Sequence, residues 1–166
     1  MKRKPMIFND LNDFSKIISH NLPLIGIDYG QKKIGISVSD LRQRVASSRE
    51  VYIRGKFSEL SQSIGAIVKS ERICGIVLGL PLNMDGSEGR RCQSTREFAR
   101  NLFQSLKTPI VFWDERLSTI AAERTLLEAD LSRKKRSQVV DMVASTIILQ
   151  GALDRLGHLR SKPVER

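Results

Sequence analysis

At 166 residues the chain has the length of a single domain with a full hydrophobic core. Its 40% apolar and 28% charged residues are those of a globular protein, which excludes a disordered or fibrous chain. A formal charge of +10 points to a polyanionic partner.

Residues 1–22 read as a helical lead-in, with Leu11, Phe14, Ile17 and Ile18 at helical spacing. The basic start Met1-Lys2-Arg3-Lys4-Pro5 is not followed by a signal-type segment, and no apolar run reaches membrane-spanning length, so a cytoplasmic protein with no membrane partner is expected. Leu24 to Tyr29 predicts a first strand, Ile34 to Ser39 a second and Val45 to Ile53 a third. Their short connections imply an antiparallel meander. Phe57, Leu60, Ile64, Ile67 and Val68 mark an amphipathic helix, and Ile73 to Leu78 a buried strand before the glycine-rich loop 79–89. A helix over about 91–106 and a fifth strand, Ile110 to Trp113, follow. Ser118 or Thr119 can cap the next helix, and the last helix covers about Ser137 to Leu156. The first, fourth and fifth strands should run parallel through helical crossovers. The domain proper is 23–156, with a basic tail over 157–166.

Three acids stand out against this pattern. Asp28 closes the apolar run Leu24-Ile25-Gly26-Ile27, Asp114-Glu115 close Pro109 to Trp113, and Asp141 interrupts an apolar helix stretch. An unpaired carboxylate is expensive in such settings. Ligands of open α/β sheets collect at the carboxyl ends of the parallel strands, where Asp28 and Asp114-Glu115 both fall. The small residues around Asp141 would let its helix approach them. Clustered carboxylates repel unless a cation is present, and oxygen-only ligands suit magnesium or manganese. Such a site suits phosphoryl transfer. Each acid also has a plainer reading: Asp28 as a turn residue before Gly30, Asp114 or Glu115 as the partner of Arg116, and Asp141 as a first-turn acid of a helix beginning near Ser137.

The basic charge is clustered in Arg133-Lys134-Lys135-Arg136, in the pairs Arg90-Arg91 and Lys32-Lys33, and in the C-terminal tail. Aromatic residues make up only 5%, which favours contacts to backbone phosphates over base stacking. The loop 79–89 could offer backbone N–H groups to a phosphate. Cys74 and Cys92 read as free thiols, and His20 and His158, near the chain ends, make a histidine-based triad an unattractive reading.

Gly26-Ile-Asp28-Tyr-Gly30 with Ile34-Gly35, Gly79-Leu-Pro81 with Asn83 and Asp85 to Gly89, Asp114-Glu-Arg116-Leu-Ser118, and Ser132 to Arg136 leading to Asp141 and Ile148-Leu149-Gln150 together resemble the YqgF family. Its members are described as Holliday-junction resolvases or as pre-16S ribosomal RNA processing nucleases. The resemblance covers about residues 23–156 in colinear order. It implies a ribonuclease-H-like α/β fold: a five-stranded mixed sheet, with a three-strand antiparallel meander and two parallel strands, flanked by helices. It also implies metal-dependent phosphodiester cleavage at Asp28, Glu115 and Asp141, with magnesium or manganese as cofactor. Asp114 could share the metal or face away. The expected nucleic-acid contacts are Lys33, Arg90, Arg91, Arg116, Arg133, Lys134, Lys135 and Arg136. The substrate would be precursor rRNA or branched DNA, and the protein a monomer or homodimer. Two other classes compete. One is an ATP-binding protein of the actin and sugar-kinase type, which needs two copies of the fold. The other is a non-catalytic nucleic-acid-binding protein.

Overall fold

The computed structural model describes residues 6–117 and 133–161, with side chains from Val140 onward in the second stretch. Its centre is a sheet in which β2 (Leu24–Tyr29) pairs antiparallel with β3 (Lys33–Ser39), and β3 with β4 (Ala46–Ile53). On the other side β2 runs parallel to β5 (Gly75–Leu80), and β5 to β6 (Ile110–Asp114). The helix α2 (Phe57–Ser70) links β4 to β5, and α3 (Arg90–Leu106) links β5 to β6. The meander and the parallel order match the sequence expectation.

The sheet has six strands, where the sequence suggests five. The extra strand is β1 (Ile7–Phe8), which pairs parallel with Ile110 and Val111 at the edge. Two residues are too few for alternation to register. The lead-in is correspondingly less helical than its spacing implies. Its helix α1 is only Leu11–Ser15, started by Asp10, whose carboxylate accepts the Asn12 N–H at 2.9 Å. β5 continues through Gly79-Leu80, which the sequence reading assigned to a turn. The pairings Gly79–Trp113 and Leu80–Asp114 keep the ladder going.

The long helix α4 (Arg133–Ser161) begins at the basic run itself, not after it. Asp141 therefore lies two turns inside the helix, which removes the first-turn reading of that acid. The helix expected from Ser118 or Thr119 falls outside the described residues. None of the described helices is long and apolar enough to cross a membrane.

Strand alternation splits the interior into two cores. Ile25, Ile27, Ile34, Ile36, Ile76, Leu78, Ile110 and Phe112 face α2 and α3, packing with Ile64, Phe98 and Leu102. Leu24, Val77, Val111 and Trp113 face α1 and α4, packing with Phe14, Ile148, Leu149, Ala152 and Leu156. Phe14 is fully buried over Gly75, so close that a β-carbon there would lie 2.6 Å from its Cζ. The lead-in is thus part of the core.

Phe14→Ala should cost about 3–5 kcal/mol, read as a lower urea midpoint; an unchanged midpoint would make the lead-in dispensable. Ser145 is buried on α4, and its hydroxyl finds no hydrogen-bond partner among the described residues. Ser145→Ala should therefore leave stability unchanged or raise it, because it removes a desolvated hydroxyl. A clear loss of stability in the same titration would show that the hydroxyl is satisfied.

Candidate active site

The three sequence-selected acids arrive at one end of the sheet on the α4 face. In β2, Leu24 and Gly26 face α4 while Ile25 and Ile27 face away, so Asp28 falls on the α4 side. Its antiparallel partner is Gly35 of β3, and one step beyond the Ile27–Leu78 pair it lies alongside Gly79 of β5. Both neighbours are glycines, and each leaves room for one of the other acids. A β-carbon on Gly79 would stand 2.7 Å from Glu115 Oε1, so the Glu115 carboxylate lies directly over that residue. A β-carbon on Gly35 would stand 2.7 Å from the Asp141 carbonyl oxygen and 3.3 Å from Ser145 Cβ, so this turn of α4 rests on β3. Glu115 follows the strand alternation to the α4 face, with Val111 and Trp113, and opens a short 3-10 turn, Glu115–Leu117, directly after Asp114.

The same alternation sends Asp114 to the opposite face, with Ile110 and Phe112. There Arg116 grips it: Nε donates to Oδ1 at 3.1 Å, Nη2 donates to Oδ2 at 2.8 Å, and the Arg116 N–H donates to Oδ1 at 2.9 Å. The guanidinium hydrogen bonds hold the Asp114 carboxyl below the ordinary carboxylate range despite partial burial. Arg116 Nη1 also reaches the Met84 carbonyl at 3.4 Å, so it ties the loop after β5 to the end of β6. Asp114 is thus the acid that faces away.

Lys33 stands at the start of β3 with its ammonium 3.1 Å from Asp141 Oδ2. Among the described residues no three His, Cys, Asp or Glu side chains form a ready metal cage. What the geometry provides is three carboxylate-bearing residues around a glycine-lined patch, with a lysine on one of them. The donors are all oxygen, the chemistry of a hard divalent cation.

Arg90 and Arg91 open α3 on the other face of the same sheet end. They line a cavity of about 190 Å³ with Tyr29 and Arg54. Arg54, just past β4, stacks over the Tyr29 ring at 4.2 Å, and Tyr29 stacks on Phe98 with centroids 4.0 Å apart. Arg54 is a site residue that the sequence reading missed; a lone arginine after a strand carries no signal. The backbone of Arg133, Lys134, Lys135 and Arg136 forms the first turn of α4, and their side chains lie outside the description.

Several N–H groups of the loop 81–89 are satisfied within it. Gly86 N–H donates to the Asn83 carbonyl at 2.9 Å, and Ser87 N–H donates to Asp85 Oδ1 at 2.9 Å. Asn83 N–H donates to the Ser87 carbonyl at 3.0 Å. A φ of +88° makes Gly86 a turn glycine. These N–H groups are therefore not presented to a phosphate, as the loop's composition had suggested.

The family model described as "RuvX: Holliday junction resolvase" matches residues 23–155. A protein of Ruegeria sp. (strain TM1040) named "Putative pre-16S rRNA nuclease" is 54% identical over 156 residues, 94% of this chain and 99% of its own. A Roseobacter denitrificans protein of the same name is 53% identical over 159 residues, covering 95% and 98%. These matches reach into the lead-in, beyond the motifs that carry the resemblance in the sequence. Among solved structures, T. thermophilus RuvC in complex with Holliday junction substrate aligns with a TM-score of 0.51 at 11% identity, covering 82% of this chain and 96% of that one. That likeness shows the fold, which is ribonuclease-H-like.

Stability should report the Asp114–Arg116 contact. Because the folded-state pKa of Asp114 lies below its ordinary value of 3.8, its stabilisation is present above that value and lost as pH falls through the lower folded value. Asp114→Asn should lower the melting temperature at neutral pH. The gap from wild type should close as pH falls through the lower folded value. A gap that stays constant across this range would mean that the charge of Asp114 contributes nothing.

Proposed function

The chain belongs to the RuvX family of Holliday junction resolvases, and from that membership we propose that it is a metal-dependent endonuclease whose substrate is precursor 16S rRNA, trimmed at its 5′ end. What supports the reading is that Asp28, Glu115 and Asp141 all lie at one glycine-lined end of the sheet, in a protein of net charge +10.

The residues fit a divalent cation in their chemistry, because the donors at this sheet end are carboxylates. Asp28, Glu115 and Asp141 would hold magnesium or manganese, which supplies a polarised water and counter-charge for the leaving oxygen. The remaining work belongs to the chain. Asp28 is fixed by a strand paired on both sides, which limits its motion to its own side chain. Lys33 holds one carboxylate oxygen of Asp141, and as a point charge at this sheet end it would also attract a phosphate. Arg116 keeps the Asp114 carboxylate engaged on the far face, so that it does not add a further negative charge to the patch. Arg90, Arg91 and the basic first turn of α4 would hold the polyanion.

Relatives covered over nearly their whole length bear the rRNA-nuclease name, which puts precursor rRNA first. The description of the family model favours four-way DNA junctions as the second substrate, and a two-fold junction would call for a homodimer. Purified protein incubated with precursor rRNA, duplex RNA and four-way junctions separates the two by which one is cut.

Cleavage should vanish in EDTA and return with magnesium or manganese; full activity in metal-free buffer would falsify the mechanism. Asp28→Asn should abolish cleavage, by about 10²-fold or more. In metal-free protein it should keep or slightly raise the melting temperature, because it removes one of several mutually repelling charges. A fall of several degrees would instead give Asp28 a structural role.

A further inference from the structure

We propose that the cavity formed by Arg54, Arg90 and Arg91 binds a single phosphate of the nucleic-acid strand that is cut, next to the phosphate at Asp28. The proposal rests on the nuclease reading and adds to it a second, separate phosphate subsite. Three arginines, Arg54 just past β4 and Arg90 and Arg91 of α3, line the cavity, and no Asp or Glu lines it. Among the described residues none of the three arginines has a carboxylate partner: the Arg54 guanidinium donates to the Gly30 carbonyl and Ser94 Oγ, both at 3.4 Å. Two of these cations also occupy the first turn of α3, the positive end of a helix dipole, where acids are normally found and here there are none. A local rule broken this way without a structural gain marks a functional position. An anion in the cavity compensates both conflicts at once.

The size of the cavity selects the anion. About 190 Å³ is the space of roughly six waters and falls short of the range of pockets that enclose drug-sized molecules. It suits a hydrated phosphate. Arg54 is also pre-set, because its stacking over Tyr29, itself stacked on Phe98, fixes the guanidinium plane. Tyr29 follows Asp28 in β2 and faces the other side of the sheet. A strand crossing this sheet end therefore meets the acids on one side and the arginine cavity on the other.

Anisotropy of a labelled single-stranded RNA, without divalent metal, tests this through the slope of log affinity against log salt. Replacing Arg54, Arg90 and Arg91 together by alanine should make the slope shallower by about 0.7, the value for one lost phosphate on a single strand. Arg91→Glu alone, which repels a phosphate, should give the same change. All three arginines are exposed, so the melting temperature should hold. An unchanged slope overturns the proposal, and so does a change of about 2, which means three separate phosphates. So does a cavity that serves free phosphate. Its signature is a wild-type melting temperature higher in inorganic phosphate than in chloride of equal ionic strength, with no change of RNA slope in the variant. Wild-type protein that shows no salt-dependent binding to any nucleic acid overturns the nuclease reading, and the proposal with it.

Discussion

Helix α4 lies directly against the sheet because glycines line its path. At Gly26 a β-carbon would stand 2.6 Å from Leu149 Cβ, and at Gly35 it would stand 2.7 Å from the Asp141 carbonyl. At Gly79 it would stand 2.6 Å from Ile148 Cδ1. The approach is mutual, since a β-carbon on Gly151 of the helix would stand 2.9 Å from Trp113 Cζ2 of β6. Ser37 Oγ then donates to the Ser145 carbonyl at 2.8 Å, joining strand and helix backbone. The second core depends on this contact, because Ile148, Leu149, Ala152 and Leu156 reach Leu24, Val77 and Val111 only from a helix seated this low. So does the position of Asp141, which no strand carries.

The packing and the candidate chemistry therefore share one cause. Interiors are close-packed, so a side chain at any of these glycines would lift the helix or displace its residues. Lifting it would separate Asp141 from Asp28 as well as open the core. The lead-in adds to the same layer through Phe8, Leu11 and Phe14.

Charge is divided by the sheet. Asp28, Glu115, Asp141 and Lys33 gather on the α4 face, whereas Arg54, Arg90, Arg91 and the Asp114–Arg116 pair lie on the α3 face. Both sets meet at the carboxyl ends of β2, β5 and β6, where an α/β sheet of this type ordinarily offers its ligand site. The residues at that end alternate between the faces, so neighbours in sequence serve different tasks: Asp28 and Tyr29, Asp114 and Glu115.

The sequence by itself determined the order and pairing of the five longer strands and singled out Asp28, Asp114-Glu115 and Asp141 as acids out of keeping with their apolar surroundings. Strand alternation, helical spacing and carboxylates ending apolar runs are local signals, written within a few residues. Only the tertiary structure showed what each of two adjacent acids does: Asp114 is gripped by Arg116 on the α3 face, and Glu115 lies over Gly79 on the α4 face. A one-residue slip in such a place reverses the face. The same holds for β1, two residues long, and for Arg54, which gains meaning only beside Arg90 and Arg91. The role of Gly35 and Gly79 also had to wait, since a glycine in a sequence does not say what will occupy the space it leaves. Contacts between residues far apart in the chain are fixed by packing, and packing is not a local property of the sequence.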